Sequence, residues 1–104
     1  MKRYTVEITD EALVDMELLY NHIALKLLAP ENAVGQYNRI ADEILKLDST
    51  PERFKIMDSE PEHTKEIRKM QVDNYSVFYV IKEDRVIVTD VLYSASDVSK
   101  RLKG

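Results

Sequence analysis

The chain contains no cysteine, which removes disulfides, thiolate nucleophiles and Cys metal sites and suits a reducing, cytoplasmic setting. No apolar run approaches the roughly 20 residues a bilayer-crossing helix needs, so no membrane span is expected. Met1-Lys2-Arg3-Tyr4 opens with charge, but no apolar stretch comes after it, and the start does not read as a signal peptide. Basic excess is missing as well. Fifteen Lys and Arg against 19 Asp and Glu leave a net charge of −4, which argues against a protein that coats nucleic acid non-specifically. No nucleophile-elbow glycines flank Ser94 or Ser96, and no histidine lies near them or Asp97, so a hydrolase triad is not expected. His22 and His63 stand apart, and a metal site would need more ligands at closer spacing. Neither a metal nor a cofactor is expected.

What remains is one domain's worth of chain. Its 104 residues, 44% hydrophobic and 33% charged, can build one core and cover it with a polar surface. The charge is uneven: residues 1–64 hold 7 basic and 13 acidic residues, and residues 65–104 hold 8 and 6. Such asymmetry fits either an interaction surface or ordinary solvated helices succeeded by strands.

Residues 3–8 alternate, with Tyr4, Val6 and Ile8 on one side, as in a half-buried strand. Thr9-Asp10 can cap a helix whose apolar stripe is Ala12, Met16, Leu19, Tyr20, Ile23 and Leu27. Ala29-Pro30-Glu31 ends it and starts a second, with Ala33, Tyr37, Ile40, Ala41, Ile44 and Leu47 as its stripe. A link this short predicts an antiparallel helical hairpin. Residues 49–64 read as a long surface loop with a helical turn near Glu52–Met57, and long loops in compact domains are often functional. Strands are then expected at Lys65–Val72, Tyr75–Lys82 and Arg85–Tyr93, turning at Asp73-Asn74 and Glu83-Asp84. Ser96-Asp97 can cap a final helix, Val98–Leu102. The expected order is β-α-α-β-β-β-α: an α+β domain with an antiparallel sheet and the hairpin on one face.

Three stretches, in this order, then resemble a known family. They are Leu19-Tyr20-Asn21-His22-Ile23-Ala24 with Pro30-Glu31-Asn32-Ala33; Glu66-Ile67-Arg68-Lys69 with Asn74-Tyr75-Ser76-Val77-Phe78-Tyr79; and Ile87 through Asp97. Together they resemble the RelE/ParE toxin superfamily, which includes plasmid-stabilisation proteins and type II toxins, over nearly the whole chain. The resemblance implies a growth-arresting toxin held inactive by a cognate antitoxin encoded beside it, in a hetero-oligomer. The RelE-like branch cuts mRNA in the ribosomal A site, and the ParE-like branch inhibits DNA gyrase. It also implies an antitoxin segment over the last strand and final helix.

Metal-independent RNA cleavage needs a base for the ribose 2′-OH, cations for the phosphorane-like transition state and an acid for the leaving oxygen. By the resemblance Arg68 and Lys69 match the family's basic positions, Tyr75 and Tyr79 its aromatic frame, and Tyr93 is the tyrosine placed to serve as acid. Ser76 stands where the family usually has arginine, and Ala95-Ser96 where it often has a basic pair. Losing one transition-state donor typically costs about 100- to 1,000-fold, so weak or absent ribonuclease activity is expected. A different set remains open, with Glu62 or His63 as base, Arg68 as cation and Tyr93 as acid. Arg68 also reads as an edge residue whose stem covers apolar surface, and His63 as a surface histidine. The alternative is a toxin-fold protein without catalysis, acting only as a binding partner or transcriptional co-repressor.

Overall fold

A computed structural model describes residues 2–95. Strand β1 (Thr5–Ile8) leads into helix α1 (Asp10–Asn21), and α2 (Pro30–Leu45) returns alongside it. The strands β2 (Arg68–Val72), β3 (Tyr75–Lys82) and β4 (Arg85–Tyr93) complete the described chain. The four strands form one sheet in the order β1-β4-β3-β2. The expected final helix lies outside the described residues, and among those described no helix is long and apolar enough to cross a membrane.

Thr9 caps α1 as its spacing predicts: the side-chain oxygen accepts the Ala12 N–H at 3.2 Å. Pro30 opens α2, where its missing N–H costs nothing. Between the helices, His22–Lys26 form a π turn, closed by the Leu27 N–H on the His22 carbonyl at 3.2 Å. A π turn takes in more residues than an α turn and so rotates the residues after it around the helix axis. Leu27 therefore leaves the buried stripe that its spacing predicted and is 60% exposed. Four other stripe positions of the first helix, Ala12, Met16, Leu19 and Ile23, are buried.

β2, β3 and β4 are antiparallel neighbours. β1 is not. It joins the edge of β4 in parallel, Thr5 opposite Arg85 and Ile8 opposite Val88, so the sheet is mixed where an antiparallel one was expected. Alternation over residues 3–8 is the same for either direction, which is why the pattern could not distinguish them. β2 is shorter than expected, because Lys65 and Glu66 belong to the preceding turn. In the 49–64 segment the helical turn is a single 3-10 turn at Pro51–Arg53.

The β3–β4 register slips between Phe78 and Tyr79, pairing Phe78 with Asp90 but Tyr79 with Val88. A bulge of this kind reverses which face later residues occupy. Val86 and Val88 before it and Val91 after it all belong to the core beneath the helices, whereas Leu92 joins Ile67 and Phe78 in a second cluster. The Val91 N–H donates to the buried carboxylate of Asp15 on α1 at 3.0 Å.

Candidate functional site

β2 brings Arg68 opposite Tyr79 on β3. Its guanidinium donates to the carbonyls of Glu52 (3.2 Å) and Phe54 (2.6 Å). The buried Tyr79 hydroxyl donates to the Pro51 carbonyl at 2.6 Å, and burial pushes that phenol up to about 12. The Tyr4 hydroxyl donates to the Glu52 carboxylate. That bond is the main cause holding the Glu52 carboxyl below its ordinary value and the Tyr4 phenol above its own. Arg68 thus belongs to a network that fastens the 50–54 turn to the sheet.

Lys69 is exposed and, one residue on, points to the opposite face. Tyr93, 50% exposed, stacks edge-on against Tyr75 with ring centroids 5.7 Å apart. Tyr93 pairs with Tyr75 and Arg68 with Tyr79, four residues along β3. At roughly 3.3 Å per residue this separates them by roughly 13 Å along the strand. Arg68, Lys69 and Tyr93 are therefore not brought to one point.

The other candidates are dispersed as well. Glu62 is fully buried; one carboxylate oxygen accepts from the Ser59 hydroxyl at 2.6 Å and the other has no partner. A carboxylate sealed from solvent cannot meet an RNA strand. His63 is exposed, 3.8 Å from Glu60. Ser76, where the resemblance places arginine, is fully buried. Its hydroxyl lies 2.8 Å from the Ser94 hydroxyl and donates to Gln71 at 3.2 Å, while the Gln71 amide donates to Ser94 at 2.7 Å. These polar groups satisfy one another. Ser96 lies outside the described residues, and among those described no group of three His, Asp or Glu side chains could hold a metal.

A concavity lies elsewhere among the described residues. A cleft of about 870 Å³ runs between α1, α2 and the ends of β3 and β4. Leu19, Tyr75 and Val91 form its floor, and Leu18, Leu27 and Tyr93 stand on its rim. Sequence reasoning missed it, although one signal was present: Leu18 is an apolar residue beside the buried stripe of the first helix and is more than half exposed.

Residues 6–98 match the model of the ParE toxin of the type II toxin–antitoxin system, parDE. The chain belongs to the ParE toxin family. Solved structures share its fold. The chromosomal ParDE system from P. aeruginosa gives a TM-score of 0.73 at 18% identity, covering 88% of this chain and 96% of that one. The RelBE2 toxin–antitoxin complex from Mycobacterium tuberculosis gives 0.62 at 19%, covering 88% and 98%. A free-state mutant of E. coli toxin RelE gives 0.65 at 15%, covering 97% and 96%. No match was found among curated proteins. This ParE-family chain is accordingly a member of the RelE/ParE superfamily, with its α+β fold.

Proposed function

We propose that this ParE-family chain is the toxin of a type II pair, neutralised in the cytoplasm by a cognate antitoxin, and that it arrests growth by binding DNA gyrase rather than by cutting mRNA on the ribosome. The observation that carries the reading is the dispersal of the cleavage set: Arg68 is fastened to the Glu52 and Phe54 carbonyls, Lys69 is on the other face, and Tyr93 is four residues away along the strand. Cleavage of a phosphodiester needs cations converging on developing negative charge. A toxin that acts by binding needs none. The family match to ParE rather than RelE supports the same target. The antitoxin is inferred from the family and from structural neighbours that are themselves ParDE and RelBE2 toxin–antitoxin systems.

Two assays on the purified chain test this. Gyrase supercoiling of relaxed plasmid should be inhibited, and primer extension on programmed ribosomes should show no A-site cut. Cleavage at around 1 s⁻¹ or faster would refute the reading. The buried, uncharged Ser76 favours one further reading, a toxin-fold partner protein or co-repressor without toxicity. Expression without growth arrest, with both assays negative, would select it.

A further inference from the structure

We propose that the outer groove of the helical hairpin seats an arginine side chain from an apolar-flanked segment of a protein partner, whatever the target of the toxin. The groove, of about 470 Å³, shares no lining residue with the cleft described above. Helical spacing sets Leu13, Glu17 and Tyr20 in one row on α1 and Val34, Tyr37 and Asn38 in another on α2. Leu13 and Val34 are 48% and 46% exposed. Tyr20 and Tyr37 meet edge-on across the groove, with ring centroids 6.2 Å apart and planes at 87°. In an edge-on pair one ring keeps both of its faces clear of the other.

These six residues match the parts of a guanidinium side chain. A tyrosine face attracts a cation through its quadrupole. The Glu17 carboxylate offers two oxygens in a plane, which a guanidinium meets with two parallel N–H donors. The Asn38 amide adds an acceptor oxygen. Leu13 and Val34 give apolar surface to the arginine stem and to apolar residues flanking it. No cation lines the groove. Glu7, Glu43 and Asp73 are already paired with Arg85, Lys46 and Arg39, whereas Glu17 has no ion pair among the described residues. Residues 10–45 carry seven acidic side chains against Lys26 and Arg39, a field that draws a cationic segment inward and opposes the same face of a second copy. Lysine would gain the charge alone, since its ammonium lacks the planar fork and stacks less well on a ring.

The test is a nitrogen-15 NMR titration of the full chain with the end-blocked peptide Leu-Arg-Leu. The shifted amides should cluster on the α1 and α2 rows that line the groove, saturating with a Kd of about 1 mM. Citrulline in place of the arginine keeps the shape, removes the charge and should weaken binding about tenfold. Glu17→Gln, at an exposed position, should weaken the arginine peptide by a similar factor while the circular dichroism spectrum is unchanged. Tyr37→Phe keeps a ring face and should retain binding, and Tyr37→Leu should lose it. Shifts confined to other parts of the chain overturn the proposal, as do equal affinity for the citrulline peptide, full retention by Glu17→Gln, or equal binding by the two Tyr37 variants. End-blocked arginine alone binding as tightly as the tripeptide also overturns it, because the groove would then serve a free cation. So does self-association of the chain that Glu17→Gln abolishes, which would assign the groove to a second copy.

Discussion

At the scale of single residues, Ser76 and Asp15 differ in how far the sequence reveals them. Ser76 was legible as a departure, because an uncharged residue stands where the family resemblance calls for arginine. Its burial beside Gln71 and Ser94 shows why no guanidinium could sit there without displacing that trio. Asp15 was not legible. It precedes Met16 on a helix read for its apolar positions, and nothing in the spacing marks it as buried. Its role arises from the far end of the chain, where the Val91 N–H beyond the β4 bulge donates to its carboxylate at 3.0 Å. Asp15→Ala leaves that donor without this acceptor and should cost about 1–3 kcal/mol. Asp15→Asn, which keeps an acceptor oxygen, should cost less. Urea unfolding midpoints at constant m would show the order Ala below Asn below the natural chain, and equal midpoints would contradict it.

At the scale of elements, β3 and β4 begin and end where their β-branched and aromatic runs predict, and the Asp73-Asn74 turn joins β2 to β3 as expected. The turn does more than reverse the chain. Asp73 adopts a left-handed φ of 53°, and its carboxylate accepts from Arg39 (2.8 Å) and Gln36 (3.0 Å) of α2, fastening the helical layer to the sheet. The Arg39 bond, then Gln36, holds the Asp73 carboxyl below its ordinary 3.8. A depressed folded-state value means that the stabilisation is present above the ordinary value and is lost as pH falls through the folded one. Thermal midpoints of the natural chain should therefore fall more steeply in acid, below about pH 4, than those of Asp73→Asn, which carries no titrating group at that position. Parallel curves for the two proteins would show that the clamp contributes nothing measurable, as many exposed pairs do.

At the scale of the whole molecule, closure depends on β1. It pairs with β4 about 80 positions later in the chain, Thr5 with Arg85 through Ile8 with Val88. Tyr4 enters the core beside it, and the Tyr4 N–H donates to the Asp48 carbonyl at 2.8 Å. One short segment thus ties the end of the helical hairpin to the edge of the sheet. Removing residues 2–8 should uncover the β4 edge at Val86 and Val88 and abolish cooperative unfolding, read as loss of a sigmoidal circular-dichroism melt. A truncated chain that still melts cooperatively at the same midpoint would show β1 to be dispensable.

The sequence by itself determined β1, the starts of both helices, β3 and β4, because period and composition are local: apolar stripes at helical spacing, β-branched runs, Thr9 as cap, Pro30 as helix start. It also determined that Arg68 and Lys69 point to opposite faces, since strand alternation alone requires it. The tertiary structure decided three things that pattern cannot carry. The direction of β1 is invisible to alternation. The exposure of Leu27 results from a π turn closed by one backbone bond. The position of Tyr93 on the cleft results from a bulge beyond which a backbone N–H is satisfied by a carboxylate from another element. In each case the deciding contact joins atoms whose pairing no local spacing specifies, and two of the three build the cleft.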